Sequence, residues 1–291
     1  MKISNYYDLA QTTISFELFP PRTDKSARDL EERLPRLISL EPSFITVTYG
    51  AFGSDQNRTL EIASKIRNEY QMDVAHHMTC VSSSKEDIDQ LLAQIKENNI
   101  DNIVALRGDK PETSNIFSPP ENGFSHANEL VAYIREYGDF GLAVAGYPEK
   151  HIEAEDFETD LFYLKKKVDA GADVIITQLY YDNDHFYDFL TKCRDIGIDV
   201  PIIPGLMPIL NLEQIKRITR ICGATIPRDL LAKLEDAKDD PDKLHEVGIE
   251  HTTNQALNLI QNGVTGIHFY VLNRYFHIAE IMERIKPALQ N

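Results

Sequence analysis

Short apolar runs alternate with longer amphipathic segments along the whole chain. The short runs are ISFELF (14–19), FITVTY (44–49), DVAHHMTC (73–80), NIVALRG (102–108), GLAVAGYP (141–148), DVIITQLY (173–180), PIIPGLMP (201–208) and GIHFYVL (266–272). Most are rich in Val, Ile, Thr and aromatic residues, which suit a pleated surface, so each predicts a strand. The segments between them repeat apolar residues at helical spacing. In SARDLEERLPRLISL, Leu30, Leu34, Leu37 and Ile38 fall on one face. KEDIDQLLAQIKENN and DFETDLFYLKKKVDAG behave likewise, the second stopping at Gly171. Strand starts recur about every 30 to 40 residues, the length of a βα unit. The last interval is longer and predicts several helices: NLEQIKRITRICG, then a pair separated by a Pro-marked turn and ending at Gly263. Eight such units predict a (β/α)8 TIM barrel with extra helices between strands 7 and 8, forming one domain over residues 1–291. A doubly wound sheet is the alternative, but no GxGxxG follows the first strand.

The first strand holds a conflict. Glu17 sits among Ile14, Phe16, Leu18 and Phe19, although a carboxylate is costly to bury without a partner. Barrel enzymes carry their chemistry at the C-terminal ends of the strands. Here those ends supply Glu17, Thr48 with Tyr49, His77 with Thr79, Arg107 with Asp109, Tyr147 with His151, Gln178 with Tyr180, and Tyr270 with Arg274. Each has a plain structural alternative. His77 can be a hydrogen-bonded core histidine, Arg107 and Asp109 a local ion pair, Tyr147 a cap on the barrel, and Glu17 a partner of Arg22. Agreement at seven of eight strand ends points to a site, because barrel interiors otherwise favour branched apolar residues.

Charge and composition narrow the ligands. Lys plus Arg is 30 against 46 Asp plus Glu, a net of −16, which disfavours nucleic acid and anionic lipid as partners. No apolar run approaches the length of a membrane span. Cys80, Cys193 and Cys222 form no CxxC and read as free thiols of a reducing, cytoplasmic compartment. Adjacent His76 and His77 point to opposite faces of a strand and cannot chelate one metal, so no metal site is expected. No GxSxG anchors a serine triad, and no lysine lies inside a strand for Schiff-base chemistry. Hydrogen-bonding and aromatic side chains remain, which suit a barrel that holds an organic cofactor. Lys165, Lys166 and Lys167 form a basic run in this acidic chain: a local phosphate site, or a solvated basic turn.

The motifs SFELFPPR, VTYGA, HHMTC, ALRGD, GYPEKH, KKKVDAGAD, ITQLYYD, IIPGLMP and HFYVLNR occur in order. In these the chain resembles the methylenetetrahydrofolate reductase family from about residue 12 to about residue 285, and specifically its bacterial, catalytic-domain-only form. The resemblance implies an FAD-containing (β/α)8 barrel. Such an enzyme reduces 5,10-methylenetetrahydrofolate to 5-methyltetrahydrofolate with NADH or NADPH, by a ping-pong order that shares one pocket, and feeds methionine synthesis. It also implies a homo-oligomer. A folate- or phosphate-binding barrel that transfers groups without flavin, and a non-catalytic binding barrel, are the competing readings.

By the same resemblance, Thr48 contacts the nicotinamide, while Tyr49, Ala51 and His77 contact FAD. Arg107, Gly108 and Asp109 line the flavin, and Asp109 also reaches the pterin. His126, Ala127, Tyr147, His151, Asp160, Tyr163, Lys166 and Lys167 hold the rest of the cofactor. Gln178 meets nicotinamide and pterin in turn. Gln214 and Arg274 bind folate, Tyr270 packs near it, and Glu17 is the general acid. Burial disfavours the charged form of a carboxyl, which suits a proton donor. Three positions depart from the family pattern: Tyr163 replaces a common Asn, His126 a common Tyr, and Ile218 a Phe that stacks on the folate.

Overall fold

The computed structural model describes residues 1–9, 11–49, 56–81, 83–109 and 122–290. Its strands are β1 (Thr13–Leu18), β2 (Phe44–Val47), β3 (Val74–Thr79), β4 (Asn102–Leu106), β5 (Gly141–Gly146), β6 (Val174–Thr177), β7 (Ile202–Ile203), β8 (Gly205–Leu206) and β9 (Gly266–Tyr270). The helices are α1 (Asp24–Ile38), α2 (Gln56–Asn68), α3 (Lys85–Glu97), α4 (Ala127–Tyr137), α5 (Phe157–Asp169), α6 (Asn183–Asp195), α7 (Leu212–Cys222), α8 (Arg228–Ala237), α9 (Pro241–Gln261) and α10 (Tyr275–Leu289).

All strand pairs are parallel, in the order β7-β6-β5-β4-β3-β2-β1-β9-β8. The predicted seventh strand is the one that differs. Only Pro204 separates β7 from β8, and proline has no N–H for the ladder. β7 pairs with β6, and β8 pairs with β9, so the broken strand closes the ring and the architecture is a TIM barrel. The carbonyl of Pro204 still accepts from the N–H of His268.

Alternation along β1 resolves the conflict at Glu17. All six residues of β1 are buried. Ile14, Phe16 and Leu18 pack in the large apolar layer shared with the helices. The other three, Thr13, Ser15 and Glu17, therefore face the barrel axis. A strand buried on both faces has no solvent side, so its polar residues meet one another inside.

The N-terminal end of the barrel is plugged by a 3₁₀ helix, Ile3–Asp8. Ile3, Tyr6 and Tyr7 pack with Phe44, Ala75, Val104 and Ala143 from the strand interior. The Ile3 N–H donates to Asn102 Oδ1 at 2.7 Å, and the Thr13 hydroxyl donates to the Tyr6 carbonyl at 2.7 Å. Access to the barrel interior is therefore from the C-terminal end. The long interval before β9 holds α7, α8 and α9, as its pattern predicts. Asn211 caps α7 by accepting from the N–H of Gln214, and Gly223 ends it at φ 74°.

Candidate active site

At the mouth, Glu17 is 7% exposed and lies between two histidines. His77 Nε2 is 3.4 Å from Glu17 Oε2, and His268 Nε2 is 3.6 Å from the same oxygen. Glu17 makes no ion pair with Arg22 among the described residues, and Arg22 is exposed. Register explains the grouping: Ser15 pairs with His268, and Glu17 with Tyr270, across the β1–β9 seam. His268 Nδ1 contacts Ser15 Oγ at 2.8 Å, which holds the other ring nitrogen toward the carboxyl. Burial drives the pKa of His77 down to about 4, against the opposing pull of Glu17, so the ring is neutral at physiological pH. His76, on the opposite face of β3, is driven down to about 3, also chiefly by burial.

Tyr270 completes this wall. Its hydroxyl donates to the Thr177 carbonyl at 2.6 Å. Room for the ring comes from Gly205, where an added Cβ would lie 2.7 Å from Tyr270 Cε2 and 2.2 Å from the Thr177 oxygen. Gln178 follows Thr177 at the mouth, and its Oε1 accepts from the N–H of Leu179. Buried Thr46 Oγ1 and Thr79 Oγ1 have no hydrogen-bond partner among the described residues. An unsatisfied buried polar atom costs about 1–3 kcal/mol, a cost that a polar ligand in the mouth removes.

A second group forms where β4, β5 and α5 meet. Arg107 Nη1 bonds Glu153 Oε2 at 2.7 Å. The rings of Tyr147 and His151 pack edge-to-face at 4.6 Å. Asp160 accepts from the His151 N–H at 3.0 Å, and burial raises the pKa of its carboxyl. Lys167 turns inward, donates to the Ala145 carbonyl and lies 5.9 Å from the Tyr147 ring centroid. Burial lowers its pKa to about 8, against the pull of Asp160. Gly108 adopts φ 92°, and an added Cβ would lie 2.4 Å from Val81 Cγ1. Asp109 is exposed beyond it, and Thr48 and Tyr49 are half-buried after β2.

The basic run 165–167 does not form one patch. Lys165 pairs with Asp169, Lys166 lies over the rings of Phe162 and Tyr163, and Lys167 reaches the Ala145 carbonyl of β5. Successive helical residues are about 100° apart, which separates the three ammonium groups. Lys166 belongs with a third, exposed group, where His126 stacks on Tyr163 at 6.1 Å. Two of the positions that depart from the family pattern thus touch each other. Ala127 begins α4 beside them, while Ala51 lies outside the described residues. Gln214 and Arg274 lie apart from these groups, lining a groove of about 1100 Å³ between α7 and the β9–α10 connection. Ile218, on the same helix, packs against a separate apolar cluster.

Sequence reasoning passed over His268. It stands in GIHFYVL, where one polar residue in an apolar strand repeats the anomaly of Glu17.

A profile of the family described as methylenetetrahydrofolate reductase matches residues 2–286. The chain belongs to that family. It is 38% identical over 264 residues to 5,10-methylenetetrahydrofolate reductase of Escherichia coli, covering 91% of this chain and 87% of that one. It is 45% identical over 283 residues to methylenetetrahydrofolate reductase (NADH) 1 of Arabidopsis thaliana, covering 94% of this chain. The chain spans only 48% of that plant protein, about half its length. Among solved structures, a Clostridium thermocellum protein described as binding two copies of 5-methyl-5,6,7,8-tetrahydrofolic acid shares the fold. Its TM-score is 0.67 at 16% identity, with 98% of this chain and 96% of that chain covered. Family members are thus recognisable here by sequence, and the barrel by structure.

Proposed function

We propose that this chain reduces 5,10-methylenetetrahydrofolate to 5-methyltetrahydrofolate with electrons from NADH, using bound FAD, and that it acts as one catalytic domain. The observation that carries the reading is a buried carboxyl, Glu17, held between His77 and His268 at the open end of a barrel of this family. The name of the plant relative supports NADH as the reductant.

The residues present suit FAD. Thr46 and Thr79 offer unsatisfied hydroxyls, and the Lys167 ammonium offers a cation for phosphate. The stacked His126 and Tyr163 rings offer an aromatic face. When bound, FAD supplies hydride transfer between nicotinamide and folate. The chain supplies the rest. Glu17 donates a proton to N10 of the folate as its five-membered ring opens, leaving a cationic iminium at N5. Asp109 stabilises that cation. Gln178, whose amide both donates and accepts, orients nicotinamide and then pterin. Gln214 and Arg274 receive the remainder of the folate.

Anaerobic stopped-flow tests this. Flavin absorbance should fall on mixing with NADH and return on mixing with methylenetetrahydrofolate. Protein without absorbance near ~450 nm, after reconstitution with FAD, would instead favour group transfer without flavin.

A further inference from the structure

Glu149 joins two parts of the molecule on which the candidate site draws separately. It lies in the loop between β5 and α5, two residues after Tyr147 and two before His151. Its side chain is only 10% exposed, and it meets the chain just beyond the end of α7. The Thr225 N–H donates to both carboxylate oxygens, at 3.2 and 3.0 Å, and the Thr225 hydroxyl donates to Oε2 at 2.5 Å. His185 Nε2, from the first turn of α6, lies 3.5 Å from the same Oε2. Hydrogen bonds to an ionised acceptor are roughly twice as strong as neutral ones.

The loop is shaped for this contact. Lys150, between Glu149 and His151, adopts φ 75°, a left-handed conformation that costs a residue with a side chain. Across that reversal Glu149 receives Thr225, while the His151 N–H donates to Asp160 and the His151 ring packs on Tyr147. The Lys150 ammonium donates to the Ala154 carbonyl and closes the turn. The loop also touches α7 at Gly223, where an added Cβ would lie 3.7 Å from Ile152 Cβ and 3.9 Å from the Lys150 carbonyl oxygen. Helix α7 is therefore seated on this loop at its C-terminal end. Near that end, burial raises the Cys222 thiol to about 11 with Asp109 adding to the rise, so the helix ends within electrostatic reach of Asp109. Gln214 stands eight residues earlier on the same helix, about 12 Å along its axis. A short helix moves as one body, so whatever holds its end also aims Gln214.

Resting on the folate reading above, we propose that Glu149 is a positioning residue for the folate half-reaction. Through Thr225 it fixes α7, and with it Gln214, relative to the loop of Tyr147 and His151. The carboxylate holds the helix in its binding geometry before substrate arrives. Without it, substrate binding must order the helix, and affinity falls by that cost. The chemistry at Glu17, on β1, stays intact.

The test uses the full chain loaded with FAD and follows each half-reaction in single turnovers. Glu149→Ala removes the carboxylate. Glu149→Gln keeps an acceptor without the charge, and Thr225→Val removes the hydroxyl but not the N–H. The half-saturating concentration of methylenetetrahydrofolate should rise about tenfold in Glu149→Ala, the scale of one lost charge-assisted hydrogen bond. It should rise about threefold in Glu149→Gln and in Thr225→Val, which each keep part of the contact. The limiting rate of flavin reoxidation, the FAD content and the half-saturating NADH concentration should stay within about twofold of wild type. Thr191→Val, which removes an exposed hydroxyl of α6 bonded to the Tyr187 carbonyl, should change nothing. Unchanged half-saturation by folate in Glu149→Ala overturns the proposal and leaves the folate reading standing. So does a parallel rise for NADH, or flavin loss in Thr225→Val, since either makes the contact a general brace of the fold. Wild-type flavin that methylenetetrahydrofolate does not reoxidise overturns both readings.

Discussion

His268 bridges Ser15 and Glu17 inside the barrel: its Nδ1 is 2.8 Å from the serine hydroxyl, and its Nε2 is 3.6 Å from the carboxyl. The contact fixes which ring nitrogen faces the acid, so His268 is expected to position Glu17 and not to touch substrate. In His268→Leu, reduction of methylenetetrahydrofolate should slow about tenfold, a fraction of what losing the acid itself costs. Flavin reduction by NADH should hold its rate. In Ser15→Ala the ring is freed, and the same half-reaction should slow by less. Equal slowing of both half-reactions in single-turnover experiments would give the histidine a purely structural role.

Glu17→Gln keeps size and polarity but removes the transferable proton. Flavin reduction by NADH needs no acid at N10 and should stay near the wild-type rate. Reduction of methylenetetrahydrofolate should fall about 10²–10⁴-fold, the usual contribution of a general acid. Substantial folate turnover by fully flavin-loaded Glu17→Gln would sink the assignment.

On the proposed FAD reading, Lys167 is expected to give flavin retention a pH limit. Its pKa in the folded protein is about 8, lowered from the ordinary lysine range by burial. A phosphate that needs the ammonium binds fully below that pH and loses affinity as the charge is lost above it. FAD retained after gel filtration should therefore decline from about pH 8 upward. Lys167→Met should bind FAD more weakly at neutral pH and lose the pH dependence. An unchanged alkaline decline in Lys167→Met would place the titrating group elsewhere.

Burial of His76 is expected to make the fold acid-sensitive. Its pKa is lowered by burial to about 3, and neither ring nitrogen has a hydrogen-bond partner among the described residues. The unfolded chain binds the proton near pH 6.5, while the native state excludes it until about pH 3. Stability is full above 6.5 and drains as pH falls toward 3, by up to about 1.4 kcal/mol per pH unit for this one site. His76→Leu should flatten the slope of unfolding free energy between pH 4 and 6 by about one proton in urea titrations. No change of slope would show that His76 titrates alike in both states.

Gly205 is a spacer for Tyr270. A methyl group there meets the Thr177 carbonyl and the tyrosine ring. Gly205→Ala should destabilise by about 1–3 kcal/mol, the usual cost of overpacking. It should also raise KM for folate. Wild-type values of both would mean that the β7–β8 break relaxes to admit the methyl group.

Local pattern determined the framework. Eight apolar runs at βα spacing are a property of nearest neighbours along the chain, so the strands, their order and the helices before β9 were legible, as was the family. Glu17 was visible as an anomaly, because one charge in an apolar strand is locally unfavourable whatever surrounds it. What surrounds it was not visible. Ser15 and His268 are 253 residues apart, and only closure of the ring puts β1 beside β9. Proline's missing N–H split the seventh strand, although the run PIIPGLMP reads as continuous. The lysine run looked like one basic patch because sequence adjacency conceals the 100° turn between helical neighbours. The groove that holds Gln214 and Arg274 draws its lining from α1, α7 and the start of α10, which no linear window contains. Strand order and helix phase follow from short-range hydrophobic periodicity, whereas partners across a closed barrel are fixed by register and by which elements the last strand finally meets.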